Sequence, residues 1–137
     1  MQATFDRDAF ELMNIFEHKT HAKAVDVVID GDNVVFIVQE GDIGKAIGKG
    51  GSTLLRLREA FKPRNVEVIE DALDVNSMVE KTLRGATIRK ITNENGQGLI
   101  SVDPTTRGIA IGKSGSNIKK LKAAMKRKFG IEDTKIL

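Results

Sequence analysis

GKAIGKGGSTLLRLREAFK, residues 44–62, returns 64 positions later as GIAIGKSGSNIKKLKAAMK, residues 108–126. Ten of the nineteen positions are identical, among them Gly44/Gly108, Ile47/Ile111, Gly48/Gly112, Lys49/Lys113 and Gly51/Gly115. The chain is therefore an internal duplication. What recurs at its centre is Ile-Gly-Lys-x-Gly.

The second copy contains Gly-Lys-Ser, which suggests a nucleotide-binding P-loop. The spacing excludes it. A P-loop needs four residues between its glycines, and only Ile109, Ala110 and Ile111 separate Gly108 from Gly112. The first copy lacks the Ser or Thr that would hold magnesium, because Gly50 follows Lys49. Asp103-Pro104 ahead of the second copy reads as the N-cap and first turn of a short helix, where a P-loop would follow a buried strand.

Working outward, the flanks repeat more loosely. Residues 25–39 and 86–103 each read as two strands about a turn, at Asp30-Gly31-Asp32-Asn33 and at Asn95-Gly96. A helical pattern precedes each hairpin: Phe10, Leu12, Met13 and Phe16 behind Asp6 as N-cap, and Val75, Met78, Val79 and Leu83. An amphipathic helix follows each Gly loop, with apolar residues at Leu54, Leu57, Phe61 and at Ile118, Leu121, Met125. A short strand closes each half, VEVI (66–69) and TKIL (134–137). The expected fold is α+β: two units, residues 1–70 and 71–137, each a three-stranded sheet packed against helices. Units this small bury little surface alone, so the two are expected to pack on each other as one rigid body.

Charge is segregated along the chain. Residues 45–64 hold six Lys or Arg and one acid, Glu59; residues 107–128 hold eight and no acid. Together these stretches carry +13 against a formal net of +3, leaving −10 on the remainder. Such segregation marks a polyanion-binding face. Two glycines three apart between helices permit a sharp turn and a close approach, and the helix that follows offers free amides and the positive end of its dipole to an anion. The residues expected to meet that anion are Gly48, Lys49, Gly50, Gly51 and Gly112, Lys113, Ser114, Gly115. Arg56, Lys119 and Lys120 support them, and Arg58, Lys62, Lys122, Lys126, Arg127 and Lys128 extend the basic face. Ile43, Ile47, Leu54, Ile109, Ile111 and Ile118 divide between core and groove.

I-G-x-x-G between two helices resembles the KH domain, an RNA-binding module whose Gly loop clamps the nucleic-acid backbone. The order of elements resembles the type II form. Two such units in tandem resemble the RNA-binding core of the NusA family of transcription elongation and termination factors. Bacterial members carry further domains ahead of the KH pair; this sequence enters the first KH helix almost at once, as in the short archaeal type. The resemblance implies single-stranded RNA bound through both Gly loops, a role in elongation, termination or antitermination, and RNA polymerase or other transcription factors as further partners. The same loop chemistry would serve a KH protein of ribosome assembly, translation or RNA processing.

Other classes find little support. Aromatic residues are 4% with no Trp or Tyr, so stacking platforms are not the expected mode. The Phe residues fall mostly at core-like positions, including Phe10, Phe16, Phe36 and Phe61. There is no Cys, and His18-x-x-His21 lacks a third strong ligand, so no metal or other cofactor is expected. No nucleophile–base pair stands out, which argues against an enzyme. The longest apolar run, VVFIV (34–38), is far below a membrane span, and the N-terminus has no signal-peptide pattern, so a cytoplasmic protein is expected.

Overall fold

The computed structural model describes residues 7–137. Asp6, expected as a helix cap, lies outside the described residues. The chain divides into two compact units, residues 1–71 and 72–137. The first comprises α1 (Arg7–Thr20), β1 (Ala24–Asp30), β2 (Asn33–Val38), α2 (Ile43–Ile47), α3 (Ser52–Phe61) and β3 (Asn65–Glu70). The second comprises α4 (Val75–Thr82), β4 (Ile88–Glu94), β5 (Gln97–Val102), α5 (Arg107–Ile111), α6 (Ser116–Phe129) and β6 (Asp133–Ile136). Each unit is α+β with a three-stranded mixed sheet, ordered β1-β2-β3 and β4-β5-β6.

The sheet topology places the Gly loop. β1 and β2 pair antiparallel through a two-residue connection, whereas β2 and β3 run parallel with Asn33 opposite Asn65. A parallel partner requires the chain to return the length of the sheet. β2 spans about 20 Å at about 3.3 Å per residue, and the ten residues of α3 return about 15 Å of it. The loop between α2 and α3 is therefore held near the end where β2 finishes. β5 and β6 repeat this, with Gln97 opposite Asp133. Even the irregularities recur: the register shifts between Ala24 and Asp26, and again between Ile88 and Lys90. Asn95 and Gly96 both take positive φ (52° and 78°), as the tight turn between β4 and β5 requires.

In the first unit Phe36, fully buried on β2, stacks on Phe16 of α1 at 4.3 Å between ring centroids and meets Phe61 of α3 at 5.7 Å. Leu12, Val27, Ala46, Leu57, Val66 and Val68 close around them. Phe10 does not join this core and is 49% exposed. The buried stripe of α1 runs Ala9, Leu12, Phe16, Thr20. Six residues of helix turn Phe10 about 120° away from Phe16, so both cannot face the sheet.

α6 is four residues longer than α3, one extra turn, so its buried face keeps its phase into β6. Pro63 follows α3, whereas α6 ends at Gly130 in the left-handed region, its N–H bonding Lys126 O while Ile131 N–H reaches Met125 O at 3.3 Å.

Thr134, fully buried on β6, has a side-chain hydroxyl with no partner. Val66 holds the same place on β3. Thr134→Val is expected to raise unfolding stability by about 1 kcal/mol in urea titration, because it removes a buried polar group without changing volume much.

Candidate nucleic-acid interface

The two Gly loops share one backbone. Gly48 and Gly112 follow α2 and α5 with φ/ψ of 76°/172° and 81°/166°. That region is open essentially to glycine alone. Their N–H groups bond back to Gly44 O at 2.8 Å and Gly108 O at 3.0 Å. Next come Gly50-Gly51 at 62°/19° and 78°/10°, and Ser114-Gly115 at 55°/27° and 75°/20°. These are type I′ turn values, and the turns close with Ser52 N–H on Lys49 O and Ser116 N–H on Lys113 O. Ser114 is a non-glycine residue held in the left-handed region.

The glycines divide their work in a way the sequence did not indicate. The expectation was that both remove Cβ atoms from the path of a ligand. A Cβ on Gly48 would instead meet the protein's own Thr53, at 2.8 Å from its backbone N. On Gly112 it would meet Asn117 N at 2.8 Å and Ser116 Oγ at 2.9 Å. The first glycine of each pair thus lets the loop lie against the first turn of the following helix. A Cβ on Gly50 or Gly51 would meet nothing within 4 Å, so these positions face open space.

Lys49, Gly50, Lys113 and Ser114 are exposed, and Gly48, Gly51, Gly112 and Gly115 are half-buried. α3 and α6 open at Gly51 and Gly115 with no side-chain hydrogen bond capping either N-terminus. Each loop therefore joins an exposed lysine, a turn tip and uncapped first-turn amides, an arrangement complementary to an anion. Asn117, not singled out from sequence, ties α6 back to α5 through Nδ2–H to Ile109 O at 3.0 Å. Its one sequence signal is its place two residues into α6.

The supporting cations differ in availability. Arg56 and Lys119 are exposed and Lys120 is half-buried. Arg58, expected on the basic face, turns to β3: Nη2 meets the Glu67 carboxylate at 3.1 and 3.3 Å, and Nε donates to Val66 O at 3.3 Å. Lys62 pairs with Glu59 at 2.7 Å, Lys122 with Asp133 at 3.4 Å and Lys126 with Glu132 at 3.6 Å. The basic face is thus partly neutralised in the later turns of α3 and α6. Among the aliphatic residues, Ile43 and Leu54 pack against the core, whereas Ile47 and Ile109 are 37% and 51% exposed.

Asp103 positions the second loop by capping the turn before α5. Its Oδ1 accepts from Thr105 N–H at 2.9 Å and Thr105 Oγ1–H at 2.7 Å, and Arg89 donates to Oδ2 at 2.9 Å. The Thr105 bonds, then Arg89, lower its pKa from 3.8 to about 2. His18 and His21 are exposed, and among the described residues no group of three metal-ligating side chains forms. No helix among them is long and apolar enough to cross a membrane.

Three outcomes follow for stability. Gly115→Ala is expected to cost about 1–2 kcal/mol in urea unfolding through its left-handed backbone alone. Gly112→Ala adds a collision with the α6 backbone and is expected to cost about 3 kcal/mol or more. Because Asp103 has a depressed pKa, its contribution is complete above pH about 4 and is lost as pH falls toward about 2. The difference in Tm between the native chain and Asp103→Ala is expected to shrink over that window.

The pattern of the KH domain family matches residues 74–137. Among curated proteins, a "Probable transcription termination protein NusA" from Halobacterium salinarum is 36% identical over 132 residues, covering 94% of each chain. One of the same description from Halococcus morrhuae is 31% identical over 139 residues, covering 99% of each. The crystal structure of APE1850 superposes with a TM-score of 0.76 at 32% identity, covering 95% of this chain and 98% of that one. With near-complete coverage at this identity, on a fold that carries the Gly loop in both halves, the chain belongs to the archaeal-type NusA family, with a KH domain in its C-terminal half.

Proposed function

We propose that this chain is a non-catalytic, single-stranded RNA-binding protein of transcription, acting in elongation, termination or antitermination from the cytoplasm. Residues 1–70 and 71–137 act as two type II KH domains. RNA polymerase or other transcription factors are the further partners this reading implies. The observation that carries it is the duplicated loop: two copies of Gly-Lys-x-Gly with matching φ/ψ, each opening an uncapped helix with an exposed lysine at the rim. The description shared by its curated relatives, probable transcription termination protein, supplies the setting.

In this reading an RNA phosphate lies over each turn tip, at Lys49-Gly50 and Lys113-Ser114, and accepts from the first-turn amides of α3 and α6. Lys49 and Lys113 neutralise it, and Arg56, Lys119 and Lys120 hold the neighbouring phosphates. Ile47 and Ile109 offer apolar contact to unstacked bases. The shortage of aromatic side chains leaves base recognition to aliphatic packing and hydrogen bonds.

Replacing both Lys113 and Ser114 by Asp sets two carboxylates against the phosphate. RNA affinity in fluorescence anisotropy is expected to fall by about tenfold or more with unchanged circular dichroism, since each lost phosphate contact also removes its counterion-release term. Unchanged affinity would sink the assignment for that loop. The wild-type log Kd is expected to vary with log salt by about 0.7 for each phosphate neutralised.

A further inference from the structure

The two loops are copies in backbone but not in charge. Aligned at the 64-residue offset, residues 42–60 carry a net +2 and residues 106–124 a net +5. Asp42 and Glu59 of the first unit correspond to Thr106 and Ala123 of the second. Ile43 and Leu55 correspond to Arg107 and Lys119. Only Lys45, replaced by Ile109, runs the other way.

The structure places this difference on the first turn of the helix that follows each loop. In the first unit Asp42, just before α2, lies 3.8 Å from Lys45, with its side chain 14% exposed and accepting from Lys23 N–H at 2.9 Å. Glu59 holds Lys62 at 2.7 Å, Glu67 holds Arg58 at 3.1 Å and Asp8 holds Arg64 at 3.3 Å. In the second unit Asp133 and Glu132 pair with Lys122 and Lys126, the counterparts of Arg58 and Lys62, so these pairs offset charge alike in both units. No acid occurs from Arg107 to Lys128. Leu55 is 61% exposed on the first turn of α3, at the position Lys119 occupies on α6. The loops therefore differ most at this position, where the first offers an exposed apolar side chain and the second an exposed lysine. A lysine already beside a carboxylate adds less attraction and releases less counterion on binding.

We propose that the second unit is the anchor for RNA. Its loop and the first turns of α6 carry most of the electrostatic affinity, and the first unit holds the strand more weakly, with Leu55 the principal residue that withholds a phosphate contact there. The proposal rests on the RNA-binding reading above.

The test uses the full chain and a mixed-sequence single-stranded RNA long enough to cover both loops, with anisotropy followed across a salt series. Three variants are compared: Lys49→Asp, Lys113→Asp and Leu55→Lys. Lys113→Asp is expected to cost about tenfold more affinity than Lys49→Asp, and Leu55→Lys to tighten binding and steepen the salt slope by about 0.7. Leu55 is exposed, so its replacement is expected to leave the circular dichroism spectrum unchanged. Equal losses from the two Asp variants, a larger loss from Lys49→Asp, or an unchanged slope for Leu55→Lys would overturn the proposal while leaving RNA binding standing. No loss from either Asp variant would overturn both.

Discussion

There is no room for a Cβ at Gly48 or at Gly112. The backbone of the following helix stands 2.8 Å from where that atom would sit, at Thr53 N in one unit and Asn117 N in the other. This close approach lets the crossover from β2 to β3, and from β5 to β6, reverse direction within four residues. From it follow the type I′ turn at the tip, the exposed lysine and the helix that opens without a side-chain cap. The candidate site is the visible end of a packing constraint inside the fold.

That constraint is met by two different cores. In the first unit Phe36 lies between Phe16 and Phe61, so three rings fill the space between sheet and helices. In the second, Ile100 and Met125 stand at the positions of Phe36 and Phe61 and are fully buried without aromatic rings. The same register shifts and strand orders survive this exchange. Volume and pattern sustain the topology, and the loop is retained because its backbone admits little else.

Much of the fold was legible because it is written twice. The 64-residue offset fixed the order of elements, and Asn95-Gly96 named a turn that needs two positive φ values. Asp103-Pro104 read as a helix start, and the structure places Asp103 as its cap. Phe10 was misplaced because apolar residues crowd α1, and only the true stripe through Ala9, Leu12 and Phe16 shows which face is inward. The basic face was legible as a run of letters but not as a set of available charges. Arg58 and Lys62 are drawn to Glu67 and Glu59, and nothing in the spacing of Arg58 announces a partner on β3.

The sequence by itself determined the duplication, the element order, the segregation of charge and the exclusion of a P-loop, since all of these depend on residue identity and spacing along one chain. Tertiary structure decided the rest. It assigned the first glycine of each loop to the fold, leaving the tip to face open space, because a Cβ clash depends on where the next helix lies. It decided which cations carbonyls and carboxylates engage, because ion pairs form between residues that the parallel crossover brings together, and charge counted along the chain does not record that distance.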